Sequence, residues 1–410
     1  MCARAAYWRD GAVAGSAGSS QIHRAPPAAR HPPRPARPAA SRTLRLRFFA
    51  LPDPAAVSHH RPIRPQDRHG FDAIIDARTP AEFAEDHIPG AINCPVLSDD
   101  ERALVGTIYV QQSAFEARRV GGALVAANLA RHLAGPLADK PANWRPLIYC
   151  WRGGMRSGSM VQWLRLVGWD AQQLAGGYKA FRRHVIERIA ALTPQLDLRV
   201  IVGATGSAKT RVLHALAEQG AQVLDLEGLA RHKGSLLGAL PGVEQPSQKH
   251  FETQLATRLE GFELARPVYV EGESARIGRL SVPVPLVQRL RAAACIEIDA
   301  PPDERLAYLL RDYAYLGDDP AALGQRLAQL AELHGKATVQ RWQGWAQMGE
   351  LAALFDELMR LHYDPHYGRS QQRNFARWDA RQRLAAPDLT PAGIAALAQD
   401  VLRLEQAEQG

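Results

Sequence analysis

The chain has little cysteine, few aromatic residues and no long apolar run. Four cysteines in 410 residues, Cys2, Cys94, Cys150 and Cys295, exclude a disulfide-stapled scaffold and fit a reducing, cytoplasmic compartment. No CxxC or paired Cys/His spacing occurs, which argues against a structural zinc site. No stretch approaches the roughly 20 apolar residues of a membrane-spanning helix. Lysine is missing from residues 1–68, which hold twelve Arg against three acids, Asp10, Asp53 and Asp67. The formal charge of +8 therefore belongs to the N-terminal stretch, and the rest is close to neutral. The basic balance says nothing about nucleic acid; any such site has to be a local patch.

What is present is ordinary globular material, 46% hydrophobic and 22% charged, enough for two or three domains. Residues 1–62 are rich in Ala, Pro and Arg, and read as a disordered extension. Their composition resembles a transit peptide, but an upstream extension of a GC-rich reading frame is the simpler account. Strands alternate with helical periodicity over 65–190 and again over 197–300, predicting two parallel α/β units. Residues 301–410 read as helical.

Two loops carry chemistry. Cys150 follows the buried strand RPLIYC and precedes a helix, which places it at the carboxyl end of a sheet. Gly153 and Gly154 let backbone N–H groups turn toward an anion, and Arg152 and Arg156 add positive charge. Such surroundings favour thiolate and suit a nucleophile. The Cys-x5-Arg spacing is one residue wider than in many sulfurtransferases and fits a tetrahedral phosphate. Tyr149, however, stands where tyrosine phosphatases carry His. The second loop, VIVGATGSAKT, is a strand, a Gly-rich turn and a helix start resembling a P-loop. Gly203, Thr205, Gly206 and Ser207 would cradle phosphate, Lys209 would contact it, and the Thr210 hydroxyl would sit on Mg²⁺. Ala208 replaces the second glycine of that pattern. Carboxylates expected to reach this loop are Asp225 or Glu227 after one strand, and Glu271 or Glu273 after another.

Arg369, Arg373, Arg377 and Arg381 recur every four residues among Tyr367, Phe375 and Trp378. They predict one basic helical face able to contact tRNA phosphates and stack bases. His362 and His366 share that spacing, but the intervening Pro365 argues against a helical pair, and no metal is expected there.

The stretch DARTPAEFAEDHIPGAIN (Asp76–Asn93), Cys150 and LAGGYKAF (Leu174–Phe181) together resemble a rhodanese-like domain. Joined to the P-loop and to PVLSDDERALVGTIYVQ, DLEGLARHKGSLLG, QPSQKHFE, VEGESARIG and HYDPHY, they resemble the tRNA 2-selenouridine synthase family. The fold expected is a rhodanese-like parallel sheet domain followed by a P-loop NTPase-like α/β domain with a helical C-terminal region. The resemblance implies a substrate tRNA with wobble 2-thiouridine, S-geranylated from geranyl diphosphate and then converted to the seleno product with selenophosphate. Cys150 would carry the selenium. The implied partners are that tRNA and a selenophosphate-producing enzyme, with no tightly bound cofactor. Two readings of the same residues stay open: a general sulfurtransferase with an accessory P-loop NTPase, and a Cys-x5-Arg phosphatase-like enzyme.

Overall fold

The computed structural model describes residues 62–409, without the side chains of 369, 370 and 406–409. The expected disordered extension lies outside these residues apart from its last position.

The first sheet is built from β1 (Ala73–Asp76), β2 (Ala91–Asn93), β3 (Pro146–Tyr149) and β4 (Gln172–Gln173), all parallel, in the order β2-β1-β3-β4. Its central β3 is buried along its whole length, as expected for a parallel strand covered on both faces. Sequence signals set the surrounding helices. Thr79-Pro-Ala-Glu82 and Ser98-Asp-Asp-Glu101 form capping boxes at the helices Pro80–Glu85 and Asp99–Gln111. The helix Met155–Val167 stops at Gly168, whose φ of +112° lies in the region favouring glycine.

The second sheet contains β5 (Leu198–Val202), β6 (Gln222–Leu224), β7 (Val268–Glu271), β10 (Ala294–Asp299) and β11 (Gln382–Ala385) in the parallel order β11-β10-β5-β7-β6. Between β7 and β10 lies the small antiparallel hairpin of β8 (Arg276–Ile277) and β9 (Leu280–Ser281). The C-terminal region is helical, as read, but β11 within it returns to extend the phosphate-loop sheet. It is short and half-buried at a sheet edge, so it lacks the apolar run that announces an interior strand.

A single core joins the two sheets. Tyr178, Phe181, Val185 and Ile189 of the helix Gly177–Leu192 pack with Phe251, Leu255 and Leu259 of the helix Gln248–Glu260. Polar contacts seal the seam. Buried Asp86 accepts from Tyr178 Oη at 2.7 Å and from Thr253 Oγ1 at 2.9 Å. Lys249 pairs with Glu85 at 2.7 Å, and Arg182 pairs with Glu252. The QPSQKHFE segment is thus the joint between the two units. Among the described residues no helix is long and apolar enough to cross a membrane.

Candidate active site: a cysteine loop and a phosphate-loop cavity

Cys150 leaves the carboxyl end of β3, and the following residues turn back into the helix Met155–Val167. Its Sγ accepts hydrogen bonds from Gly154 N at 3.3 Å and from Ser157 Oγ at 3.1 Å. Gln173 Nε2 donates to Ser157 Oγ at 2.7 Å and holds that hydroxyl. Negative charge on sulfur therefore meets two donors at a helix N-terminus. Gly153, at φ +65°, makes the turn. Gly177 makes the fit: a Cβ there would stand 2.2 Å from the Cys150 carbonyl oxygen. Tyr178 N and Lys179 N donate to the carbonyls of Cys150 and Trp151 at 2.8 and 2.9 Å.

The two arginines of the loop differ. Arg152 is exposed. Arg156 is half-buried and paired with Glu82 at 2.6 Å. Burial pushes the Glu82 carboxyl up, but Arg156, the Thr79 N–H and Arg102 outweigh it and hold it below the usual range. Tyr149, where a phosphatase would place His, serves the core: its hydroxyl accepts from Ile88 N at 3.2 Å, beside the buried Asp76–Arg78 pair. Burial pushes the thiols of Cys94 and Cys295 up to about 11, so both are packed residues.

The phosphate loop lies between β5 and the helix Lys209–Glu218. Gly203 has φ +153° and Gly206 +86°. Ala208 sits at φ +58°, so the position does demand the left-handed conformation that glycine normally supplies. The methyl group is buried in the core that also holds Val212 and Tyr269, which offsets that strain. Lys209 Nζ donates to Gly203 O at 2.9 Å, and the Tyr367 hydroxyl accepts from Gly203 N. Buried Arg305 steadies the loop, donating to Thr205 O at 3.1 Å and pairing with Asp364 at 2.8 Å.

Three carboxylates face this loop. Donor atoms of Glu227, Glu271 and Glu273 lie within 4.8 Å of one another, and Thr210 Oγ1 donates to Glu227 at 3.2 Å. Burial, then the charge of Glu273, pushes Glu227 up to about 8. Burial and the neighbouring carboxylates raise Glu271 well above its ordinary value, and its Oε1 is buried without a partner. Asp225 is not part of the group. It caps the helix Leu226–Ala230 through Gly228 N at 2.7 Å and pairs with His214 at 3.0 Å. The expectation that Asp225 reaches the loop is thus corrected: it is spent as an N-cap, a role signalled by an Asp directly before a helical apolar residue, and Glu227 is the carboxylate left facing Thr210.

Loop and carboxylates line one cavity of about 660 Å³. Lys209, Arg211, Lys233 and Arg291 supply charge, and Val287, Leu290, Leu309, Tyr308, Tyr313 and Phe375 supply apolar wall. Lys233, within DLEGLARHKGS, and Arg305 are site residues that sequence reasoning missed, and Tyr367, expected among the aromatics of the basic face, meets the phosphate loop instead.

The basic helical face is not there. The helix Asp364–Asn374 ends before Arg377, Phe375 is buried in the core, and Arg381 pairs with Glu297 at 2.7 Å while lying over Trp378. Arg373 and Arg377 remain exposed; the Arg369 side chain lies outside the described residues. The reading of His362 and His366 also needs correction. A π-helical turn, Met359–Tyr363, runs straight into the next helix with Pro365 in its first turn, where a missing N–H is harmless. The two rings come to 5.2 Å.

The Rhodanese-like domain family matches residues 63–184, and the tRNA 2-selenouridine synthase AAA domain family matches 196–322. A tRNA 2-selenouridine synthase of Aeromonas salmonicida is 34% identical over 72% of this chain and 86% of its own length. The chain belongs to the tRNA 2-selenouridine synthase family. The namesake from Cupriavidus necator is 33% identical over 74% of this chain and 90% of its own. That from Nitrosomonas europaea is 39% identical, the match covering 62% of this chain and 66% of the relative. The family's rhodanese-like part corresponds to the Cys150 sheet and its AAA part to the phosphate-loop cavity.

Proposed function

We propose that this family member is a tRNA 2-selenouridine synthase acting through an S-geranyl intermediate, with geranyl diphosphate in the phosphate-loop cavity and selenophosphate at the Cys150 loop. The observation that carries the reading is the cavity, in which a phosphate cradle and cations share one space with an apolar and aromatic wall. A prenyl diphosphate combines the same two polarities. The sulfur of wobble 2-thiouridine would attack C1 of the geranyl group, and diphosphate would leave onto the loop N–H groups and Lys209. The buried, partnerless Glu271 Oε1 and its neighbouring carboxylates fit a hard divalent cation such as Mg²⁺. Glu227, Glu271, Glu273 and Thr210 would hold it, and it would neutralise diphosphate charge.

S-alkylation turns the base sulfur into a thiolate leaving group. The selenium of selenophosphate, held at the Cys150 loop, would then attack C2 as geranylthiolate departs, and water would cleave the Se–P bond to release phosphate and leave the 2-seleno product. The Gly154 N–H and Ser157 hydroxyl, which donate to Cys150 Sγ, would steady charge on that thiol sulfur. The tRNA and a selenophosphate-producing enzyme are the partners of this scheme. It is tested by giving 2-thiouridine tRNA and geranyl diphosphate alone to two variants. Cys150→Ala should geranylate at the wild-type rate and Lys209→Ala at least tenfold more slowly. Normal geranylation by Lys209→Ala would overturn the assignment of the cavity.

A further inference from the structure

A second cluster of donor groups lies at the edge of the cavity and has no part in the scheme above. His334 ends the short helix Ala331–His334; His362 lies in the π-helical turn and His366 in the first turn after it. Ligand atoms of the three rings lie within 4.8 Å of one another. His334 Nε2 and His362 Nδ1 are 3.0 Å apart. Two nitrogens on a tetrahedral zinc ion, each about 2.0–2.1 Å from the metal, stand about 3.3 Å apart. The pair is therefore already near the spacing of two ligands on one ion.

One N–H···N bond between His334 and His362 uses only one of the lone pairs that the three imidazoles offer. The His334 ring is set edge-on to buried Trp342 at 5.1 Å, which fixes its direction. The π-helical turn, a feature that recurs at functional sites, brings His362 beside His366. An all-imidazole set selects borderline transition ions over Mg²⁺, so it differs in kind from the carboxylate group facing Thr210.

We propose that His334, His362 and His366 form a binding site for a divalent transition ion of the zinc class. Its fourth position opens on the cavity, because His366 is exposed and lines that space. The ion ties the end of the helix Ala331–His334 to the helix that carries Tyr367, whose hydroxyl meets the phosphate loop at Gly203. Neither the family matches nor the geranyl scheme calls for such an ion.

The test uses the metal-stripped full chain, dialysed against micromolar Zn²⁺ with millimolar Mg²⁺ present to occupy the carboxylates. The wild type should retain one zinc per chain. His334→Gln and His362→Gln should each bind it at least tenfold more weakly, with unchanged melting in EDTA. Glu271→Gln should retain zinc as the wild type does. Co²⁺ in place of zinc should give the visible absorption of a tetrahedral site without a thiolate charge-transfer band. Absence of tight zinc in the wild type would overturn the proposal. So would zinc kept by both His variants, zinc lost only in Glu271→Gln, or a thiolate band.

Discussion

Gly177→Ala puts the construction of the cysteine loop to a quantitative test. Gly177 has φ +58°, and an added Cβ would stand 2.2 Å from the Cys150 oxygen, 2.5 Å from Gly153 N and 3.1 Å from the Arg152 carbonyl carbon. All three are backbone atoms, so no flexible side chain can yield. The left-handed conformation alone costs an alanine about 1–2 kcal/mol. Pushing the loop away also breaks the bonds from Tyr178 N and Lys179 N to the Cys150 and Trp151 carbonyls, worth about 1 kcal/mol each. The sum is about 3–4 kcal/mol, which lowers the melting temperature by about 5–10 °C. Gly168→Ala is the control: φ is +112° there, with nothing within 4 Å of the added carbon, so only the conformational part applies. Thermal melts and two partial assays read the outcome. Selenium incorporation by Gly177→Ala should fall at least tenfold, while geranylation stays within a factor of two. A melting temperature no lower than that of Gly168→Ala, with normal selenium incorporation, would refute the argument.

Four further outcomes follow from the same geometry. Ala208→Gly relieves about 1 kcal/mol of left-handed strain but loses a buried methyl worth about 0.8 kcal/mol and adds chain entropy. Its stability by denaturant titration should lie within about 1 kcal/mol of wild type. Asp86→Ala leaves the Tyr178 hydroxyl unpaired at the seam and the Thr253 hydroxyl with only its Arg182 partner, and the same titration should show a loss of about 2–4 kcal/mol. The folded-state value of Glu227 is raised from 4.5 to about 8. Its contribution to stability is therefore full at low pH and is lost as pH rises across that interval. Metal-free protein should melt progressively lower over this range, Glu227→Gln should flatten the trend, and Mg²⁺ should oppose it. Arg373→Gln with Arg377→Gln tests the two exposed cations left from the basic run: tRNA affinity at physiological salt should drop, whereas Arg381→Gln, which breaks the pair with Glu297, should show mainly in thermal melting.

Much of this architecture was legible because strand, turn and helix signals coincide at both loops. LIYC followed by Trp-Arg-Gly-Gly, and VIVG followed by Ala-Thr-Gly-Ser, place function where parallel sheets bind ligands. Four things escaped. The arginine run matches helical spacing, but tertiary packing buries Phe375 and ends the helix at Asn374. Strand β11 is four half-buried residues at an edge, whose pairing with β10 across 82 residues of chain leaves no local trace. Asp225 and Glu227 are equivalent by composition; capping geometry removes the first and leaves the second facing Thr210. Ser157 and Glu82, which engage Cys150 and Arg156, lie on separate elements, so their roles emerge only when the sheet assembles.

The most direct measurement is mass spectrometry of the wobble nucleoside after incubating the full chain with 2-thiouridine tRNA, geranyl diphosphate and selenophosphate. The account predicts 2-selenouridine from the wild type, S-geranyl-2-thiouridine accumulating with Cys150→Ala, and unchanged 2-thiouridine with Lys209→Ala. Folded wild-type protein that leaves 2-thiouridine untouched, or 2-selenouridine formed without geranyl diphosphate, would contradict it.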